Sequence, residues 1–338
     1  MNGHFVISLD FELHWGVFDK KSVNDYKENL TNVPIVIDRL LKLCEQYNVK
    51  LTFSTVGFLF AQNKKELLKY APKNKPTYNN KIYNPYSLIN SIGDQEKDDP
   101  YHYAPSLIKK IRDTNAHEIS SHTYCHFYSH KPGQTVEQFE DDIKSAIEIA
   151  KSMNVKIESL VFPRNMIDAE KTIDHPYLYV LKKHGITSFR GKEEAHIYTI
   201  HTTKFYHNWF IFKILRMLDA YFNVTGYNTY KVESLYNSNL PLNLPSSRLL
   251  RPYSQKLNFL EPLKMRRIKK AMKYAAKHNE MFHLWWHPHN FGTHIDENFK
   301  NLESIFKAYT SLNKTHNFTS ETMSGLTHKV TSLNNNNS

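Results

Sequence analysis

Strand-like and helix-like segments take turns along most of this chain. HFVISLD (4–10) is an apolar run ending in an acid and predicts a buried strand; VPIVIDRLLKLCEQYN (33–48) carries its apolar residues at helical spacing; VKLTFSTVGFLF (49–60) predicts the next strand and the turn after it. The alternation continues. APSLIKKIRDT (104–114) is a helix before the strand AHEISSH, TVEQFEDDIKSAIEIAKSMN (135–154) a helix before IESLVFPRN (157–165), HPYLYVLKKHG (175–185) a helix before ITSFRG, and PLKMRRIKKAMKYAAKHN (262–279) a helix before EMFHLWWHPHN. Repeated strand–helix units imply an α/β chain with a parallel sheet or barrel, and such folds gather their chemistry at the carboxyl ends of the strands.

Those ends hold reactive side chains. They carry Asp10 and Glu12 in SLDFELHWG, His122 and His126 in EISSHTYCH, Arg164 in VFPRN, Arg190 in SFRG, and His287 and His289 in LWWHPHNFG. In a barrel, acid, imidazole and guanidinium groups at five strand ends converge on one mouth. His122, His126 and His130 follow one another at intervals of four. That spacing puts imidazoles on one face of a helix or helical turn, where two of them can share a metal ion. A carboxylate with two neutral imidazoles is a divalent-metal set, and a catalytic zinc site uses three protein ligands and leaves the fourth position to water. The same set holds Fe(II) in oxygenases, but those place an acid two residues from the first His, and Ser120 and Tyr124 stand there.

Composition narrows the class. With 338 residues, 40% of them hydrophobic and 13% aromatic, the chain can bury one large core or two ordinary ones. Its two cysteines, Cys44 and Cys125, make neither a disulfide framework nor a CxxC knuckle. With MNGHFVISLD passing almost directly into a strand, without a basic leader or cleavage site, they predict a cytoplasmic protein. The net charge of +11 is spread along the chain, with no nucleic-acid motif. It predicts no nucleic-acid partner, and suits an anionic sugar carrier or peripheral association with the inner membrane face.

We expect a single domain over residues 1–329, with 72–103 as a long loop or lid, 196–260 as an insertion around the amphipathic stretch NWFIFKILRMLDAYFNV, and 330–338 as a disordered tail. The amphipathic stretch is interrupted by Lys213 and Arg216 and is too short in apolar residues for a membrane span. Core or subunit packing is the reading preferred for it over an interfacial helix.

Taken together, the motifs resemble those of the polysaccharide deacetylases, the NodB-homology carbohydrate esterases, and particularly a cytosolic branch found with surface-polysaccharide genes. HEISSHTYCH is similar to the HTxxH metal motif, SLDFE to the first motif, VFPRN to the Arg-bearing third and HLWWHPHN to the closing motif, in family order from the first strand to about residue 295. The resemblance implies a distorted (β/α) barrel of about seven parallel strands. It implies Asp10 as general base, Glu12, His122 and His126 as metal ligands, Arg164 as the residue orienting Asp10, and His287 as general acid, with His289 as the fallback. Arg190, Trp286, His289, Arg248 and Arg251 are candidates for substrate contact, and His130 is read as surface.

The implied cofactor is one divalent ion, zinc first, then cobalt, nickel or manganese. The implied substrate is an acylated sugar, free, nucleotide-linked, lipid-linked or polymeric, losing an N-acetyl, N-formyl or O-acetyl group. The Asp-Phe-Glu spacing departs from the family's adjacent acids or Asp-x-Asp, so Asp10 stays open as the alternative carboxylate ligand. Two rivals stand beside this reading. A glycoside hydrolase of the same barrel superfamily would need two carboxylates flanking the anomeric carbon; a catalytically silent carbohydrate-binding or membrane-peripheral protein would need no intact site.

Overall fold

The computed structural model describes residues 1–193 and 209–336. Residues 194–208, within the expected insertion, lie outside the described residues, as do 337 and 338.

Strand β1 (His4–Phe11) lies at the centre of the sheet and is buried along its whole length, as expected of a strand covered on both faces. Around it run β2 (Thr52–Thr55), β3 (Glu118–Ser121), β4 (Ser159–Val161), β5 (Ser188–Arg190), β6 (Leu242–Asn243), β7 (Arg248–Leu249), β8 (Met281–Trp286) and β9 (Thr319–Glu321), in the order β6-β5-β4-β3-β2-β1-β8-β7. All of these pairings are parallel. β9 takes the first half of one edge of β1, at His4–Val6, and β2 takes the second half, at Ser8–Phe11.

The sheet curls. The short extended segment 242–249 pairs with β5 through β6 and with β8 through β7, and between them Ser246 donates its N–H to Gly191 and Ser247 to His283. One segment thus bridges both ends of the sheet, giving the curled α/β half-barrel that the strand–helix rhythm implied.

Helices α1 (Lys27–Thr31), α2 (Val33–Tyr47), α3 (Lys64–Tyr70), α4 (Pro105–Asp113), α5 (Val136–Ser152), α6 (His175–Lys183), α7 (Trp209–Asp219), α8 (Glu261–His278), α9 (Ile295–His316) and α10 (Met323–Asn336) complete the described chain. Their ends follow local chemistry. Thr135 and Gln138 form a reciprocal capping box on α5, and Asn48 and Asn279 close α2 and α8 in the left-handed conformation that asparagine tolerates. α2 buries Val33, Val36, Ile37, Leu40 and Cys44 in the main core, together with Phe5, Ile7 and Leu9 of β1.

One expectation, the disordered tail, needs correcting. Residues 330–336 continue α10 rather than trailing as a disordered tail, because Met323, Leu326 and Val330 fall on one face and are fully buried. Residues 72–103 are a loop, but a packed one: Tyr78 and Tyr103 are buried, and the Tyr78 hydroxyl accepts the Tyr128 N–H at 2.8 Å. α9 and β9 went unread in the sequence. No helix among the described residues is long and apolar enough to cross a membrane.

The interior also makes stability depend on pH. Burial pushes His4 down to about 4 and, with the Arg190 charge, His283 down to about 3; burial and the His287 charge push His289 to about 3. Unfolded, each histidine titrates near 6.5. Below that pH the unfolded chain takes up protons that the folded one refuses, so stability is complete above pH 6.5 and lost as pH falls, by about 1.4 kcal/mol per proton per pH unit. Asp142, which burial pushes up to about 6, opposes this with a single proton. Denaturant midpoints are expected to fall steeply from pH 7 to pH 5, and a flat profile would contradict neutral burial of these rings.

Candidate active site

Parallel register brings the strand ends to one rim. Phe11 pairs with Thr55, Thr55 with Ser121, Ser121 with Leu160, Val161 with Arg190, and Leu9 with Trp286. The residues just past these positions are Glu12, His122, Arg164 and His287, so side chains far apart in sequence meet.

Glu12, His122 and His126 place one ligand atom each within 4.8 Å of the others, and all three are buried. The Nε2 of His122 is 3.2 Å and the Nε2 of His126 3.1 Å from the same oxygen, Glu12 Oε2. Tetrahedral ligands at bond lengths of about 2.0–2.1 Å stand about 3.3–3.4 Å apart, so these separations fit a small divalent ion. The His122 Nδ1–H donates to the Val161 carbonyl at 2.8 Å, which leaves its Nε2 lone pair facing the cluster. Burial lowers the pKa of His126 and favours the neutral ring a metal requires. Burial alone would raise Glu12, but His287, His122 and His126 hold it well below the usual carboxylate range. Gly16 makes room for this acid: a Cβ there would lie 1.8 Å from Glu12 Oε1.

The two histidines do not sit on a helix. β3 ends at Ser121, and Thr123 (φ 65°) and His126 (φ 59°) are left-handed, so a tight loop performs the convergence that four-residue spacing suggested for a helical turn. Buried Asp142 on α5 supports that loop by accepting the N–H groups of Tyr124 at 2.6 Å and Cys125 at 3.1 Å. The sequence did hold a signal for it: Asp142 interrupts the apolar stripe of Phe139, Ile143 and Ala146.

Asp10 stands beside the cluster and outside it. Arg190 grips its carboxylate with two parallel bonds, Nη1 to Oδ1 at 2.7 Å and Nη2 to Oδ2 at 2.8 Å, and reaches Ser8 Oγ at 3.0 Å. His283, whose Nδ1–H donates to the Leu244 carbonyl, accepts the Ser8 hydroxyl at 2.8 Å and completes a buried chain behind Asp10. Burial opposes ionisation, but Arg190 and His122 bring Asp10 below the usual carboxylate range.

The arginine on Asp10 is therefore Arg190. Arg164, expected there, instead donates to Asp19 at 2.6 Å and to Tyr128 at 3.3 Å. The cause is local: Arg164 (φ 67°) and Asn165 (φ 51°) turn left-handed, carrying the chain off the strand direction.

His287 completes the rim. Asn290 donates to its Nδ1 at 3.2 Å, and its Nε2 points between Glu12 Oε1 at 3.4 Å and Asp10 Oδ2 at 3.7 Å. His289 is buried behind it, ring to ring at 5.2 Å, and its low pKa keeps it neutral. Trp286 is not a surface for substrate: it is fully buried and stacked on Phe291, because side chains alternate along β8 and the rim-facing ring is Trp285. Arg248 and Arg251 line a neighbouring cavity with Trp285. His130 pairs with Asp174 at 3.0 Å.

A family model for polysaccharide deacetylases matches residues 18–189, a span that includes His122, His126 and Arg164. No curated protein sequence matches the chain. Among solved structures, a protein described as a polysaccharide deacetylase from Mycobacterium smegmatis shares 12% identity at a TM-score of 0.60, over 99% of this chain and 92% of that one. A GH57-type branching enzyme from Pyrococcus horikoshii shares 14% at 0.51, over 96% and 70%. A 4-alpha-glucanotransferase from Thermococcus litoralis shares 12% at 0.52, over 96% of this chain and 40% of its own. At these identities the likeness is one of fold.

Proposed function

The chain belongs to the polysaccharide deacetylase family, and from that membership and the geometry of the rim we propose that it is a metal-dependent hydrolase that removes an N-acyl group, acetyl first, from a sugar. The observation that carries this reading is the convergence of His122 Nε2 and His126 Nε2 on one Glu12 oxygen. In it, Glu12, His122 and His126 hold the ion, with zinc the first choice. Bound there, such an ion supplies Lewis-acid polarisation of the acyl carbonyl and a water whose pKa is lowered toward about 7.

The chain's own groups do the rest. Asp10, kept ionised by Arg190, takes a proton from the attacking water, and His287, as the imidazolium, delivers one from Nε2 to the departing amine and is left as the neutral ring. Arg190 is a positioning residue. Arg190→Met would leave Asp10 a buried, unpaired charge and is expected to lower kcat by about tenfold or more, whereas Arg164→Met should spare kcat. Equal losses in the two variants would contradict that division of roles.

A cytoplasmic location and work in surface-polysaccharide synthesis belong to the same proposal; the free, buried Cys44 and Cys125 are compatible with a reducing compartment. The test of function is acetate release from N-acetylated sugars by the metal-loaded protein, run beside a reducing-end assay. Reducing ends without acetate would overturn the reading in favour of a glycosidase.

A further inference from the structure

Beside the rim lies a cavity of about 270 Å³ whose lining includes Arg164, Lys192, Arg216, Arg248, Arg251 and Trp285. Five of the eleven described lining residues are cations, and Glu193 is the acid among them. Burial raises the Glu193 pKa.

Two of the cations have buried donors to spare. Arg248 is 4% exposed and uses Nη1 on Asp219, at 2.9 Å to both the carboxylate and the carbonyl, while its Nε and Nη2 have no hydrogen-bond partner among the described residues. The Lys192 Nζ is likewise buried without a hydrogen bond, its nearest carboxylate oxygen being that of Asp168 at 3.9 Å. Asp219 also serves Arg267 at 2.7 Å, so one carboxylate is divided between two guanidiniums. Buried charged donors left unpaired are costly. Guanidiniums at a cavity wall suit phosphate oxygens in particular.

The cavity shares a wall with the reacting groups. Trp285 lines it, lies under the Arg190 guanidinium at 4.3 Å and faces the His287 ring at 5.7 Å. We propose that this cavity is a phosphate subsite, and that the sugar deacylated at the rim carries a phosphate ester or diphosphate linkage. The inference rests on the deacylase reading for the reaction, and on the cavity alone for the anion. Ile214, Met217 and Phe222, exposed on and just after α7, are close in sequence to the lining residue Arg216, so a lipid-linked phosphate is tested as a source beside a nucleotide-linked one.

The first experiment titrates with inorganic pyrophosphate, comparing the metal-loaded wild type, Lys192→Gln and Arg251→Gln with Glu12→Gln, which lacks a metal ligand. Arg248 is left intact because its bond to Asp219 is part of the fold. Each of the first two changes is expected to weaken binding by about tenfold, and Glu12→Gln to leave it unchanged. Wild-type affinity in both cavity variants, or loss confined to Glu12→Gln, would overturn the proposal by placing the anion elsewhere or on the metal.

The second experiment compares acetate release from N-acetylglucosamine 1-phosphate and from N-acetylglucosamine. The phosphorylated sugar should be favoured in kcat/KM by about tenfold or more, and the advantage should shrink in the cavity variants. Equal rates on both sugars without competition by pyrophosphate would sink the subsite and leave deacylation standing. Pyrophosphate binding that depends on Lys192 and Arg251, with no acetate from either sugar, would sink the deacylase reading and keep the anion site. Preference for a polyprenyl-phosphate-linked over a nucleoside-diphosphate-linked N-acetyl sugar, or the reverse, then identifies the source of the phosphate.

Discussion

His122→Ala combined with His126→Ala is expected to take the purified protein from about one equivalent of divalent metal to almost none. Both rings are buried, at 1% and 2% exposure, and both aim Nε2 at Glu12 Oε2. The double variant leaves a single carboxylate, which cannot hold a zinc-like ion against dialysis. Turnover should fall with it by about 10³-fold, since the Lewis-acid contribution is worth several kcal/mol and each 1.36 kcal/mol is a factor of ten. The substitutions open a cavity and leave the Val161 carbonyl without its donor, so circular dichroism must show the fold intact. Glu12→Gln, nearly the same shape, provides the parallel case. Elemental analysis decides: a folded double variant that retains a full equivalent of metal would move the metal site elsewhere.

Much of this fold could be read from the chain because burial imposes periodicity. β1, α2, α5 and α8 each show their apolar pattern over enough residues for the period to declare itself. The segment that bridges the sheet could not be read that way. β6 and β7 are two residues each, with Pro245 between them, too short for any period. Their pairing is decided by neighbours far away in sequence.

The site was legible to the level of strand ends and no further. That Asp10, Glu12, His122 and His287 meet follows from a parallel sheet, whose carboxyl ends share one rim. Which arginine enters the mouth does not follow, because it depends on backbone angles. Arg164 is carried off by two left-handed residues, and Arg190, still in the last position of β5, points at Asp10. Trp285 and Trp286 show the same limit: adjacent in sequence, they lie on opposite faces, and only the register of β8 against β1 says which faces the rim. The His spacing picked out two residues that meet at Glu12, but through a different local structure, a loop tied down by Asp142 rather than a helix.

Asp10→Asn tests the remaining half of the mechanism. Asn keeps the shape and one acceptor oxygen but removes the charge, so it cannot take a proton from water at neutral pH. Because Asp10 stands outside the Glu12, His122 and His126 group, metal content should stay near one equivalent while kcat falls by about 10²–10⁴-fold, the usual range for loss of a positioned base. The variant also presents an amide N–H₂ to the two Arg190 bonds, leaving a guanidinium partly unpaired in a buried site. Some loss of stability is expected too, so kcat should be measured at a temperature where the variant is fully folded. Loss of the metal together with activity would instead make Asp10 a ligand, the alternative that the Asp-Phe-Glu spacing left open. Near-normal turnover with metal bound would remove Asp10 as base and shift proton transfer to His287, whose Nε2 lies within 3.7 Å of the same carboxylate.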